Sequence, residues 1–130
     1  MKSYPRREFL LRALAACGTP FLVPLAALEG SQKPQADTAA ASYFGVRIDA
    51  ARTIGEAYVR QLGLDTSAES IRKASLSTLK IIERASTRQN AITALELAVR
   101  RDFQQGQSVQ LEGWIISRTE AELCALTLLP

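Results

Sequence analysis

From residue 48 onward the apolar positions follow two rhythms, a helical one interrupted once by strict alternation. Between Asp49 and Leu62 they fall at Ala50, Ile54, Ala57, Tyr58 and Leu62, three and four apart, which predicts an amphipathic helix. Asp49 is the expected cap at its start, and Gly63 the left-handed residue that ends it. A second helix is expected from about Ser67, with Thr66 and Glu69 at capping-box spacing and Ile71, Leu79 and Ile82 facing inward. Ser75 and Ser77 predict that this stretch bends or divides into two. Ala91 to Gln105 carries the clearest stripe, Ile92, Leu95, Val99 and Phe103, with Arg100, Arg101 and Asp102 toward solvent and Gly106 as its stop.

The rhythm then changes. Val109-Gln110-Leu111-Glu112 alternates as a half-buried strand does, Glu112-Gly113 suits a turn, and Trp114-Ile115-Ile116 is a second extended run. An isolated hairpin is barely stable, so this one must pack on helices. Ser117 and Glu120 form a second capping box, opening a last helix with Leu123, Leu126 and Leu129 on its apolar side and Cys124 as a small buried residue. The expected fold is mainly α: a small bundle of about four helices with a short β-hairpin before the last. Domain organisation is read as a leader and linker over residues 1–41 and a single helical domain over 42–130.

The leader rests on a different pattern. Lys2, Arg6 and Arg7 precede an apolar stretch from about Phe9 to Leu28, broken by Arg12, Pro20 and Pro24. A spanning helix needs about 20 nearly uninterrupted apolar residues, and a central arginine costs roughly 2.5–3.5 kcal/mol on insertion. The stretch suits transient passage, not permanent anchoring. Arg6, Arg7, Phe9 and Leu10 resemble the twin-arginine export consensus Ser/Thr-Arg-Arg-x-Phe-Leu-Lys, with Pro5 in place of the hydroxyl residue and Leu11 in place of the lysine. That resemblance implies the twin-arginine translocation machinery as a partner, a periplasmic destination and only passing contact with the membrane. A general secretory signal and a basic amphipathic helix are the alternatives. Ala39-Ala40-Ala41 and Leu25-Ala26-Ala27 are two candidate cleavage stretches, and Leu14-Ala15-Ala16-Cys17-Gly18 reads as a lipobox that would make Cys17 a lipidated residue. Residues 29–42, rich in Gln, Ala, Ser and Thr, read as a linker.

Composition narrows the chemistry. The chain has 130 residues and a formal charge of +3. From Ser42 onward eleven Lys and Arg face ten Asp and Glu, scattered along the chain, so nucleic acid is not an expected partner. There is no histidine, and Cys124 is the only cysteine after residue 41. Zinc, copper and haem sites normally need His or several Cys, so no metal, cofactor-binding or catalytic residue is assigned. Ser70-Ile71-Arg72-Lys73 and Ser77-Thr78-Leu79-Lys80 match Ser-x-x-Lys, but the Ser-Asp-Asn and Lys-Thr-Gly elements that accompany it in penicillin-interacting enzymes are absent. Glu120 and Glu122, two apart on a helix, point to different sides. Asp49, Asp65 and Asp102 are dispersed, and each suits a helix end or a solvated face.

Trp114 is the only tryptophan of the chain. Such a residue either fills a small core or anchors a contact. With Leu111 and Ile116 it forms the expected partner-contact set.

The run Arg101-Asp102-Phe103-Gln104-Gln105-Gly106 through Leu111-Glu112-Gly113-Trp114-Ile115-Ile116-Ser117-Arg118-Thr119-Glu120-Ala121, closing on Leu123-Cys124-Ala125-Leu126, resembles a group of short twin-arginine-exported bacterial proteins without an assigned activity. The organisation, though not the residues, is similar to the small signal-bearing subunits of periplasmic flavin-dependent dehydrogenases, whose large partners carry no signal. These similarities imply a non-catalytic small subunit or export escort for a larger oxidoreductase. The alternatives are a free-standing periplasmic domain binding a small apolar ligand between its helices and, last, a carboxylate-based enzyme.

Overall fold

The computed structural model describes residues 33–130. The leader residues Arg6, Arg7, Phe9, Leu10 and Cys17 and the stretch Leu25-Ala26-Ala27 lie outside them. The described residues are mainly helical, with a two-stranded antiparallel hairpin ahead of the last helix. In chain order the elements are α1 (Ala36–Phe44), a 3-10 turn (Gly45–Arg47), α2 (Ile48–Gln61), α3 (Ala68–Ala74), α4 (Leu76–Arg84), α5 (Arg88–Gln104), β1 (Ser108–Leu111), β2 (Trp114–Ser117) and α6 (Arg118–Leu126). No helix among them is long and apolar enough to cross a membrane.

The last helix is the centre of the fold. Of α6, Thr119 and every residue from Ala121 to Leu126 are buried. It packs on every other α-helix among the described residues, with its broadest contact against α2. That closeness depends on Gly55 in α2, where a Cβ would stand 2.6 Å from the carbonyl carbon of Cys124 and 2.9 Å from the nitrogen of Ala125. Leu123, Leu126, Val59, Ile71, Ile82 and Leu95 are the large side chains that close the core around it.

Several local expectations hold in detail. α2 and α5 both end in Schellman motifs. In α2, Leu64 N–H donates to Val59 C=O and Gly63 N–H to Arg60 C=O. In α5, Gln107 N–H donates to Asp102 C=O and Gly106 N–H to Phe103 C=O. The stretch after Ser67 does divide, at Ser75, which ends α3 and begins α4. Glu112 and Gly113 have φ of 48° and 78°, the positive pair that a two-residue hairpin turn needs. The strands pair with Leu111 opposite Trp114 and Val109 opposite Ile116.

Others need correction. Residues 36–42, read as the end of the linker, belong to α1, whose Ala39 and Ala40 are fully buried. Alanine is the best helix former, and two methyl groups suffice where another helix lies close. The boundary expected between residues 41 and 42 therefore falls inside a helix. Asp49 does not cap α2; Arg47 occupies that position without a side-chain cap bond, and Asp49 lies in the first turn, where acid favours the helix dipole. The buried stripe of α2 is Ala51, Gly55, Tyr58 and Val59 with Ala57, while Ala50 and Leu62 are exposed. The Thr66–Glu69 box does not form. Ser67 is the cap, accepting from Ser70 N–H at 3.2 Å, and its own N–H and hydroxyl donate to Asp65 at 3.1 and 2.6 Å. Those bonds hold the Asp65 carboxyl below its usual range, the Ser67 hydroxyl contributing most.

Candidate functional site

Two surfaces lie at opposite ends of the hairpin, one polar and one apolar. The polar one lies where α4, α5 and α6 converge. It is an open cleft of about 280 Å³ bordered by Asp102, Arg118, Thr119, Glu122, Arg101 and Gln105 among others. Its carboxylates are already engaged. Glu122, on the buried side of α6, accepts from the backbone N–H of Thr78 at 2.9 Å through one oxygen and from Arg118 Nε at 3.1 Å through the other. Thr78 is the third residue of α4, so Glu122 caps that helix from across the core. Ser75 reinforces the junction, its hydroxyl donating to the Glu122 carbonyl at 3.1 Å. Asp102 does the same for α6, accepting from Thr119 N–H at 2.6 Å. Asp102 therefore turns inward, contrary to the expectation that it faces solvent. The Thr78 hydroxyl is buried and has no hydrogen-bond partner among the described residues.

Glu120 has the local role its spacing implied. Its side chain accepts from Ser117 N–H at 3.0 Å while its own N–H donates to Ser117 Oγ at 2.9 Å. Burial is the main influence on this carboxyl and raises its pKa, more than the Ser117 bonds lower it, and Asp102 adds to the rise. A raised folded-state pKa favours the protonated form. Glu120 thus contributes stability that is fully present below the unfolded carboxylate range, about 4.3 for glutamate, and is lost as pH rises through the folded value. Glu120→Gln keeps the acceptor and removes the charge. Thermal melts across pH 4–7 should show the parent losing stability relative to E120Q as pH rises; parallel curves would contradict this.

Cys124 is 3% exposed, and burial first, then Glu120, pushes its thiol well above the ordinary range. A thiol so placed is neutral and inaccessible. Iodoacetamide at neutral pH should leave the folded chain unmodified at Cys124 and modify it fully in denaturant, as read by peptide mass. Tyr43, on α1, is shifted up chiefly by burial, with Glu120 and Glu96 adding to it. The lysines of the two Ser-x-x-Lys matches, Lys73 and Lys80, are exposed, Ser70 lies over the α3 cap, and Ser77 borders the cleft. Among the described residues no group of three or more His, Cys, Asp or Glu is arranged to hold a metal.

The apolar surface is the hairpin tip. Of the three residues expected to contact a partner, Leu111 and Ile116 are buried, at 3% and 7% exposure, where β1 packs on α2 and α6 and β2 packs on α5 and α6. Their place in the core follows from the register, which puts Val109, Leu111, Trp114 and Ile116 on one face. Trp114 shares that face but stands beside the turn and is 46% exposed. Ile115, which sequence reasoning did not single out, lies on the opposite face and is 67% exposed. The signal that would have found it is the alternation itself: if Ile116 is inward, Ile115 is outward. Trp114 and Ile115 are therefore neighbours in sequence that present apolar surface on both sides of the tip.

Neither the family models, nor the curated proteins, nor the solved structures contain a match to this chain.

Proposed function

We propose that the chain is a non-catalytic small subunit, carried to the periplasm by the twin-arginine route, that binds and escorts a larger oxidoreductase lacking its own signal. The observation that carries the binding half of this reading is the exposed pair Trp114 and Ile115 on a hairpin closed by a two-residue turn. Large apolar side chains presented on a short, tightly turned element lose little freedom on binding, and tryptophan is enriched among residues that dominate interfaces. The carboxylates that an enzyme of this kind would need, Asp102, Glu120 and Glu122, each hold a helix start together. The export half rests on Arg6, Arg7, Phe9 and Leu10. Together these features favour a contact surface over a reaction centre.

The test is purification of the tagged full chain from the periplasm of its native host, beside the double variant Trp114→Ser, Ile115→Ser. Ile115 is 67% and Trp114 46% exposed, so a melt of the variant first shows that it stays folded. Co-elution of one larger protein with the parent and its loss from the variant is the expected result. A parent recovered alone would overturn the reading.

A further inference from the structure

We propose that the polar cleft binds a small organic acid, a carboxylate on a short apolar body, through Arg101 and Arg118. This goes beyond the escort reading and does not depend on it, because the hairpin tip lies at the other end of the strands. The cleft is built from one stripe of each of three helices. α5 supplies Ala98, Arg101, Asp102 and Gln105, spaced three, one and three apart and so on one face. α4 supplies Ser77 and Ile81, one turn apart, and α6 supplies Arg118 and Glu122, also one turn apart. Ile81 and Ala98 are the apolar part of the lining, one from each of two helices in contact. Ala98 carries only a methyl group, which leaves room between them.

The cleft holds two arginines and two acids, but only the acids are spent. Asp102 accepts from Thr119 N–H and Glu122 from Thr78 N–H, each satisfying a helix start, and Glu122 also accepts from Arg118 Nε. Arg118 bonds through Nε alone, which leaves Nη1 and Nη2 without a partner among the described residues. Arg101 is exposed and has no carboxylate partner among them. A guanidinium offers a carboxylate paired N–H donors, and such charge-assisted bonds are roughly twice as strong as neutral ones. The acids limit the charge of the ligand. A phosphate dianion would be repelled by Asp102 and Glu122 about twice as strongly as a monocarboxylate. Size sets the rest. A cleft of about 280 Å³ lies at the small end of ligand pockets, which fits a body of a few carbons resting on Ile81 and Ala98.

The test is titration of the full chain with isocaproate, followed by nuclear magnetic resonance at the side-chain amides of Gln105 and Gln107 and the Nε–H of Arg101. Saturable shifts at these groups are expected. Isocaproamide, of the same shape without the charge, should cause none, and acetate, which lacks the apolar body, should bind about tenfold more weakly. Arg101→Gln should weaken isocaproate about tenfold, through loss of a charge-assisted contact. Gln105→Glu, at the exposed rim, brings a like charge to the same place and should weaken it as well, so the outcome does not hang on one variant folding. Equal binding of acid and amide, or an unchanged affinity in both variants, would overturn the inference. Acetate or inorganic phosphate binding as tightly as isocaproate would mean an adventitious ion only and would overturn it too, as would the absence of any shift at millimolar isocaproate.

Discussion

Gly55→Ala should destabilise the domain by about 3 kcal/mol, at the upper end of what one added methyl group costs in a packed interior. On ordinary grounds the substitution should help, because alanine favours a helix interior over glycine by about 1 kcal/mol. The packing reverses the sign. The new Cβ would meet the Cys124 carbonyl carbon at 2.6 Å and the Ala125 nitrogen at 2.9 Å, both inside van der Waals contact. These are backbone atoms of a helix buried on nearly every side, so they cannot rotate away as a side chain would. Relief requires α2 and α6 to separate, which loosens the broadest helix contact of the fold. For a domain of this size the loss corresponds to a melting temperature lower by roughly 10–20 °C. A melting temperature equal to or above the parent's would show that α2 and α6 do not approach as closely as described.

Glu122→Ala is the second large effect, expected at about 3 kcal/mol from the loss of a charge-assisted bond and a buried amide left without an acceptor. Two partners contact this carboxylate, and magnitudes decide which one matters. Arg118 is half exposed, with its side chain at 52%, so the ion pair is weakened by solvent and contributes less than about 1 kcal/mol. The Thr78 amide is buried and has no other acceptor available in its helix, because it belongs to the first turn of α4. Arg118→Ala should therefore be mild and Glu122→Ala severe. Glu122→Gln retains a carbonyl oxygen for Thr78 and should fall between them. Equal losses for the arginine and glutamate variants in chemical denaturation would instead make the ion pair the main contributor.

These two positions also show what the sequence could and could not convey. The hairpin, the Ser117–Glu120 box and the division at Ser75 are written in neighbouring residues, and each is found where its pattern lies. Their rules are local: a turn needs positive φ, a helix start needs an acceptor three residues away. The caps made by Asp102 and Glu122 join residues 17 and 44 apart, so no spacing rule announces them. Asp102 was expected to face solvent because acids usually do. Gly55 carried a partial signal, since a glycine inside an otherwise helical stripe often marks a close approach. α1 was hidden for the opposite reason. Its core residues are alanines among Ser, Thr and Gln, a composition shared by linkers and by helices that dock through small side chains.

The candidate site was legible in the same uneven way. Trp114 stood out by being single and by its place beside the turn, whereas burial of Leu111 and Ile116 follows from which face of the hairpin meets α6. That choice is fixed by the helix underneath, not by the strands. The proposed surface, Trp114 with Ile115, keeps the expected location at the hairpin and changes the residues proposed to act there.

The escort claim is tested most directly by changing Arg6 and Arg7 to lysine in the native host and comparing the periplasmic and cytoplasmic proteomes with those of the parent. The account predicts that this chain and one larger protein without its own leader leave the periplasm together and appear in the cytoplasm. If this chain alone changes compartment and every other periplasmic protein stays, it escorts nothing.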